Sequence, residues 1–231
     1  MLHKGYMGRI IDSPQYSGVL PTHTRIDFWE CYAQNVLAFI DNEVYGDLTI
    51  ADRPDLQDVT KSLGVEVTQA ISNTSQQAEA LYALYGEETD EKEKKRLKAR
   101  IERIGATVHK GFMFGPKGVD SFSLVNDAVI KKLEKLNSGS YRDFDHAHLF
   151  VRSDIYADCN MLAEELFTFL DISEEYTKQY ERIVVSVPSF NYVFNLKEKD
   201  YEQLPFLPID QRFIAEKARQ VVIDAELDLR S

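Results

Sequence analysis

The sequence has few cysteines and no long apolar run. Only Cys31 and Cys159 occur among 231 residues, which excludes a disulfide framework, and we expect both to be free, buried thiols. No run of about 18 apolar residues exists, so no membrane-spanning helix is expected. The first residues also lack the apolar stretch of a signal peptide. We therefore expect a cytoplasmic protein that makes no membrane contact.

The sequence also has fewer positively charged than negatively charged side chains. Lys and Arg total 27 against 38 Asp and Glu, which gives a net charge of −11. This balance excludes a protein that coats nucleic acid through bulk positive charge, but it leaves room for an enzyme with a local basic cleft. Apolar residues make up 44% of the chain and aromatics 11%, enough to build a core and to exclude disorder throughout.

The hydrophobic periodicity predicts one α/β domain over residues 1–231, because strand and helix patterns alternate. Residues 1–23 are expected to be irregular, 24–187 to form the core and 188–231 a C-terminal extension. The predicted elements are a helix at 25–44 capped by Thr24, strands at 48–51, 55–59 and 64–68, helices at 73–85, 87–104 and 123–136, a strand at 146–152, a helix at 157–170, strands at 182–187 and 192–196, and a helix at 211–227. Residues 105–119 are expected to form a loop or a broken strand, and Pro205 with Pro208 a turn.

Two acidic residues lie on neighbouring predicted strands. Asp55 follows Pro54 and starts one strand, and Glu66 lies in the next. If the strands form a hairpin, the two carboxylates come together and resist joint ionisation in a low dielectric. A divalent cation removes that conflict, since Mg²⁺ is usually held by one or two carboxylates plus substrate phosphates. The pair therefore predicts a Mg²⁺ or Mn²⁺ site, with the backbone carbonyl of Val67 as a further ligand.

These residues carry a resemblance to a known superfamily. Pro-Asp at 54–55, followed by Glu-Val-Thr at 66–68 behind a helix that bears Glu30, resembles the PD-(D/E)xK nucleases, also called restriction-endonuclease-like. The resemblance implies an α-β-β-β-α-β core, a mixed central sheet flanked by helices, with which the predicted order over 24–187 is compatible. Helical additions then surround that core.

The resemblance also implies an activity and a set of site residues. It implies metal-dependent hydrolysis of DNA phosphodiester bonds, with RNA as an alternative substrate and a homodimer suited to double-strand cleavage. A host-defence or mobile-element setting follows by analogy. Asp55 and Glu66 would be metal ligands, and Glu30 would support a second metal or orient a water. Glu43, at the end of the same predicted helix, is an alternative donor.

The chain departs from the motif at its last position, where Thr68 replaces the lysine. A neutral hydroxyl cannot replace that charge, so another group must assist an active enzyme. The amide of Gln69 could orient a water, since it both donates and accepts hydrogen bonds. Four lysines are candidates to reach the site or to contact the nucleic-acid backbone: Lys110, Lys117, Lys131 and Lys132. An inactive nuclease-like module that binds protein or nucleic acid is the alternative function.

Two further patterns have a structural explanation as well as a functional one. His146 and His148 would lie on one face of a strand, where zinc could use them, but we favour half-exposed strand residues. The densest basic segment, between Lys92 and Arg103, could contact phosphates, but we favour a solvated helix with local ion pairs.

Overall fold

A computed structural model describes residue 20 and residues 24–109, 112–139 and 142–227. Most of the segment expected to be irregular, and Lys110, lie outside the described residues. The described elements are α1 (Phe28–Ile40), α2 (Asn42–Tyr45), β1 (Thr49–Ile50), β2 (Leu56–Asp58), β3 (Leu63–Ala70), α3 (Asn73–Glu87), α4 (Glu91–Arg103), β4 (Thr107–His109), β5 (Phe112–Phe114), α5 (Ser123–Asn137), β6 (His146–Ser153), α6 (Cys159–Glu174), β7 (Arg182–Val187), β8 (Ser189–Asn195), β9 (Asp200–Phe206) and α7 (Pro208–Leu227).

The protein is an α/β structure with a mixed seven-strand sheet in the order β1-β2-β3-β6-β7-β8-β9. β1, β2 and β3 form an antiparallel meander, β3, β6 and β7 are parallel, and β8 and β9 return antiparallel. The parallel strands lie at the centre because helices cover both of their faces, as such strands require. The C-terminal extension therefore widens the sheet through β8 and β9.

Side-chain alternation along the strands divides the core between two faces of the sheet. On one face, α5 and α6 pack against the sheet through Val129, Leu133, Leu149, Phe169 and Ile183. On the other, α1 and α7 pack through Ala33, Leu37, Val65, Val184 and Ile214. A smaller cluster joins α3, α4 and β4 through Ala78, Leu81, Ile101, Ala106 and Val108. The chain between β3 and α5 thus forms a small subassembly with its own apolar contacts.

Several predicted elements differ from the structure for identifiable local reasons. The helix predicted at 25–44 begins later, since Asp27 rather than Thr24 caps it by accepting from the backbone N–H groups of Trp29 and Glu30. It breaks at Asp41, whose extended backbone ends α1 and whose side chain caps α2. Residues 105–119 contain the antiparallel hairpin of β4 and β5.

The turn predicted around Pro205 was wrong at that residue, because Pro205 lies inside β9 and pairs with Phe190. Proline is tolerated there since β9 is an edge strand, whose free side needs no N–H donor. Two burial expectations were also wrong. Cys159 is exposed rather than buried, although Cys31 is buried, and His148 is buried rather than half-exposed.

None of the helices in the described parts of the chain is long and apolar enough to cross a membrane.

Candidate active site

A gap in the sheet lies beside the candidate carboxylates. β2 pairs only with residues 63–65 of β3, while β3 continues to Ala70. Beyond residue 65, that edge of β3 is not covered by β2, and Asp55 lies where β2 begins. Side chains from both faces of the sheet can meet at such an opening. α1 approaches it from one face and α5 from the other.

Asp55 and Glu66 are brought together here, as predicted from the hairpin. Asp55 Oδ2 accepts a hydrogen bond of 2.7 Å from the backbone N–H of Val67. The Lys132 ammonium of α5 lies 3.8 Å from the same Asp55 oxygen and forms an ion pair with Glu66 Oε2. The Glu66 side chain is only 3% exposed and that of Lys132 14%. A buried carboxylate of this kind needs a cation, and Lys132 supplies it.

Glu30 shares the electrostatic field of the pair. Burial, and then the negative charges of Asp55, Asp27 and Glu66, together raise the pKa of this α1 carboxyl to about 7, and Lys132 opposes them. Three acidic neighbours and a single ammonium thus act on the Glu30 carboxyl. This shortage of positive charge is the condition under which a divalent cation is favourable.

The donor set fits Mg²⁺ or Mn²⁺. Carboxylate and carbonyl oxygens are the ligands these hard cations prefer, and Mg²⁺ needs only one or two carboxylates when waters and phosphate complete its shell. Among the described residues, no group of three or more acidic, histidine or cysteine side chains is arranged to hold a metal ion. A metal at Asp55 and Glu66 would therefore depend on few protein ligands. The backbone of Val67 lies next to Asp55, since its N–H group donates to the Asp55 carboxylate.

A cleft of about 650 Å³ opens beside the pair, between β3 and α5. We call it the β3–α5 cleft. Its lining includes Thr68 and Ala70 from β3, Gln76 from α3, and Lys131 and Lys135 from α5. Lys132 also lines it, so the cleft leads directly to the ion pair with Glu66. Three lysines line the cleft against two acidic residues, Asp127 and Glu134, so its wall is polar with a small excess of positive charge.

A second cavity, of about 260 Å³, lies near the same carboxylate. Glu66 lines it together with Phe144, Arg142, Lys178 and Tyr180. Sequence reasoning missed these residues, since they come from the chain segments before β6 and β7, far along the sequence from Glu66. Only the parallel pairing of β3 with β6 and of β6 with β7 brings them to one place.

The other predicted site residues lie outside the carboxylate cluster. Gln69 is three residues from Glu66, so strand alternation directs its side chain to the opposite face. There its Oε1 accepts a hydrogen bond of 3.0 Å from Arg152 Nη1. Glu43 is exposed in α2, and its carbonyl accepts from Lys61 in the turn at the far end of β2. Lys117 is an exposed loop residue that lines neither cavity.

Of the three candidate lysines that the structure describes, Lys132 is the one that contacts the carboxylates. Lys131, its neighbour on α5, is exposed and lines the β3–α5 cleft. Spacing along the sequence could not select between them, since the orientation of α5 over the sheet decides which side chain faces Glu66.

No family model, no curated protein and no solved structure matches the chain. The function is therefore argued from the geometry and chemistry of this site.

Proposed function

We propose that the protein is a metal-dependent nuclease with a restriction-endonuclease-like core that hydrolyses DNA phosphodiester bonds. The order of α1, the β1–β3 meander, α5 and the parallel strand β6 is compatible with the α-β-β-β-α-β core. The observation that carries the proposal is the convergence of Asp55 and Glu66 on Lys132. In this proposal Lys132 takes the role that the motif lysine would have at the position held by Thr68.

The residues have distinct roles in this proposal. Asp55 and Glu66 would hold Mg²⁺ or Mn²⁺, and the Val67 carbonyl would be a further ligand. When bound, the metal supplies a water of lowered pKa and neutralises charge on the phosphate. Lys132 holds a positive charge where negative charge develops on the phosphate oxygens. Glu30 is poised to take or give a proton near neutral pH, since burial and its acidic neighbours raise its pKa to about 7.

The second candidate function is an inactive module on the same fold that binds protein or nucleic acid. One observation favours it: the Lys132 ammonium already occupies the place beside both carboxylates that a metal would need. In such a module the ion pair stabilises the fold and Asp55 and Glu66 are remnants of a metal site.

A plasmid-nicking assay with supercoiled DNA distinguishes the nuclease from the inactive module. Purified protein is incubated with Mn²⁺, Mg²⁺ or EDTA beside an Asp55→Asn/Glu66→Gln variant, which removes both charges at nearly constant volume. The nuclease requires nicking with metal that EDTA and the double variant abolish. No nicking with either metal on plasmids of varied sequence would favour the inactive module, and nicking by the double variant would overturn the assigned site.

Lys131 offers a matched control for Lys132. Both are lysines of α5 that line the β3–α5 cleft, but only Lys132 contacts the carboxylates. We expect Lys132→Met to lower the nicking rate by about 100-fold or more, the scale seen when one charge-stabilising group is removed. Lys131→Met should change it far less. Equal losses would assign both lysines to backbone binding and remove Lys132 from the catalytic step. Circular dichroism of each variant shows whether it is folded.

A further inference from the structure

α4 carries positive side chains along its solvent face. We call the following five exposed residues the α4 stripe: Lys92, Lys95, Arg96, Arg100 and Arg103. Their spacing of three, four, eight and eleven residues from the first places them on one side of a helix with 3.6 residues per turn. Ile101 is buried in the opposite face, with Leu97 and Ile104 packed beside it.

Helix stability explains only part of the stripe: Arg100 and Arg103 lie in the last turn of α4, where positive side chains stabilise the helix dipole. Lys92 with Arg96, and Arg96 with Arg100, are like-charge pairs at i,i+4, which destabilise a helix by about 0.2–0.5 kcal/mol each. Among the described residues, only Arg96 of the stripe has a carboxylate partner within 4.0 Å, namely Glu93. In a chain with a net charge of −11, five such cations on one face form a local exception that points to a polyanionic partner.

The topology places one end of the stripe towards the β3–α5 cleft. Three residues join α3 to α4, and so short a connection makes the two helices antiparallel neighbours. Gln76, near the start of α3, lines the cleft. The end of α4 that bears Arg100 and Arg103 therefore lies at the same end of the hairpin as Gln76, and Lys92 lies at the distal end.

The length of the stripe matches a stretch of nucleic-acid backbone. From Lys92 to Arg103 it covers about 16 Å at 1.5 Å per residue, which corresponds to about five base pairs at 3.4 Å each. Positive side chains with this reach contact phosphates and position a duplex without reading its sequence. A DNA strand carries a continuous row of negative charges, one per about 3.4 Å, to which such a row of cations is complementary.

We propose that the α4 stripe binds the phosphate backbone of duplex DNA that flanks the strand held in the β3–α5 cleft. The inference deepens the proposed function and rests on it for the identity of the substrate. The hairpin of α3 and α4 then acts as an arm that holds the duplex beside the strand in the β3–α5 cleft.

Binding without cleavage tests this directly. The affinity of the full chain for a fluorescein-labelled 24-base-pair DNA, a length of about two helical turns, is measured by anisotropy in EDTA across a salt titration. The stripe variant is Lys95→Gln/Arg100→Gln/Arg103→Gln. The matched control, Lys197→Gln/Lys199→Gln/Lys217→Gln, removes three exposed cations outside α4. Because binding is read without metal, this result is independent of nuclease activity.

We expect the stripe variant to bind DNA at least about tenfold more weakly than wild type at moderate salt. The plot of log affinity against log salt concentration should become less steep, by about 0.9 for each phosphate that the variant no longer neutralises. The control variant should bind as wild type does. The stripe assignment is overturned if wild type does not bind DNA, or if the two variants bind equally well. It is also overturned if poly-glutamate competes as strongly as an equal charge of unlabelled duplex. Weak binding by the stripe variant, together with no nicking by wild type, would keep the stripe and reject the nuclease.

Discussion

At the scale of single residues, the ion pair of Lys132 with Glu66 is expected to stabilise the folded protein. Removing one partner of a buried pair leaves an uncompensated charge in a low dielectric, which costs about 3–5 kcal/mol. We expect Lys132→Met to lower the free energy of unfolding by about 3 kcal/mol. Glu66→Gln/Lys132→Met should recover most of this loss, because the buried Glu66 charge is removed with its partner and Asp55, the other neighbour of Lys132, is more exposed. Urea unfolding of the wild type, both single variants and the double variant gives the coupling energy. Strictly additive losses would show that the two groups do not interact in solution.

Glu165 gives the fold a pH dependence away from the candidate site. It is 6% exposed on α6, and burial, opposed by a hydrogen bond with Asn126, raises its pKa to about 7. Glu165 Oε1 has no hydrogen-bond partner among the described residues. The folded state therefore holds the proton more tightly than the unfolded state, whose pKa is about 4.5. Below pH 4.5 Glu165 is protonated in both states and does not change the free energy of unfolding. As the pH rises from 4.5 towards 7, the unfolded state loses its proton first, so the free energy of unfolding decreases.

We expect Glu165→Gln to be nearly neutral at pH 4.5 and to stabilise the protein by up to about 3 kcal/mol at pH 8, since one pKa unit corresponds to about 1.4 kcal/mol. Thermal or urea unfolding across this pH range measures the difference. Glu164→Gln is the control, because the neighbouring Glu164 is exposed and should leave the pH profile unchanged. A difference between wild type and Glu165→Gln that does not vary with pH would contradict the titration of Glu165.

At the scale of elements, Gly64 sets how closely β3 approaches the segment before β2. A Cβ at Gly64 would lie 2.6 Å from Pro54 Cγ and 3.0 Å from Phe144 Cδ2. Pro54 directly precedes Asp55, so moving it displaces the carboxylate. We expect Gly64→Ala to lower the free energy of unfolding by about 1–3 kcal/mol, as overpacking does, and to reduce plasmid nicking.

Gly115 provides the matched substitution for Gly64. Nothing lies within 4 Å of a Cβ built at Gly115, so Gly115→Ala should leave both stability and nicking nearly unchanged. Chemical denaturation and the plasmid assay are applied to both variants. A stable Gly64→Ala variant with full activity would show that Pro54 can shift without moving Asp55.

At the scale of the whole molecule, the two halves of the sequence share one sheet and one set of apolar contacts. A single cluster combines Val36 and Leu37 from α1 with Val193 from β8 and Ile214 from α7. The C-terminal extension cannot detach without exposing apolar residues on the face of the sheet against which α1 packs. We therefore expect the core and the extension to unfold together.

The only tryptophan of the sequence allows this to be measured. Trp29 lies in α1, and the guanidinium carbon of Arg152 lies 3.7 Å from the centroid of its ring, so its fluorescence reports contact between α1 and β6. Unfolding midpoints followed by Trp29 fluorescence and by far-ultraviolet circular dichroism should coincide. An earlier fluorescence transition would show that α1 separates while the sheet persists.

The sequence by itself determined features that depend on neighbours along the chain. Apolar periodicity predicted most helices and strands, and β7 follows the predicted strand at 182–187 residue for residue. The meeting of Asp55 and Glu66 was also predictable, because a hairpin joins them over a short span. The opposite orientation of Gln69 could have been predicted too, since strand alternation already separates it from Glu66. β9 was missed because Pro205 indicates a turn unless the strand is known to lie at an edge.

Tertiary structure decided the composition of the site. Lys132 reaches Glu66 only because the chain, after the α3–α4 subassembly, places α5 over the face of β3 that bears Glu66. Glu30 belongs to α1, which packs on the opposite face of the sheet, and its carboxyl is coupled electrostatically to Asp55 and Glu66. Local pattern cannot specify such contacts, since they depend on how helices pack across a sheet from distant parts of the chain. The carboxylates follow from the sequence, whereas the ammonium that completes them is selected by the packing of α5.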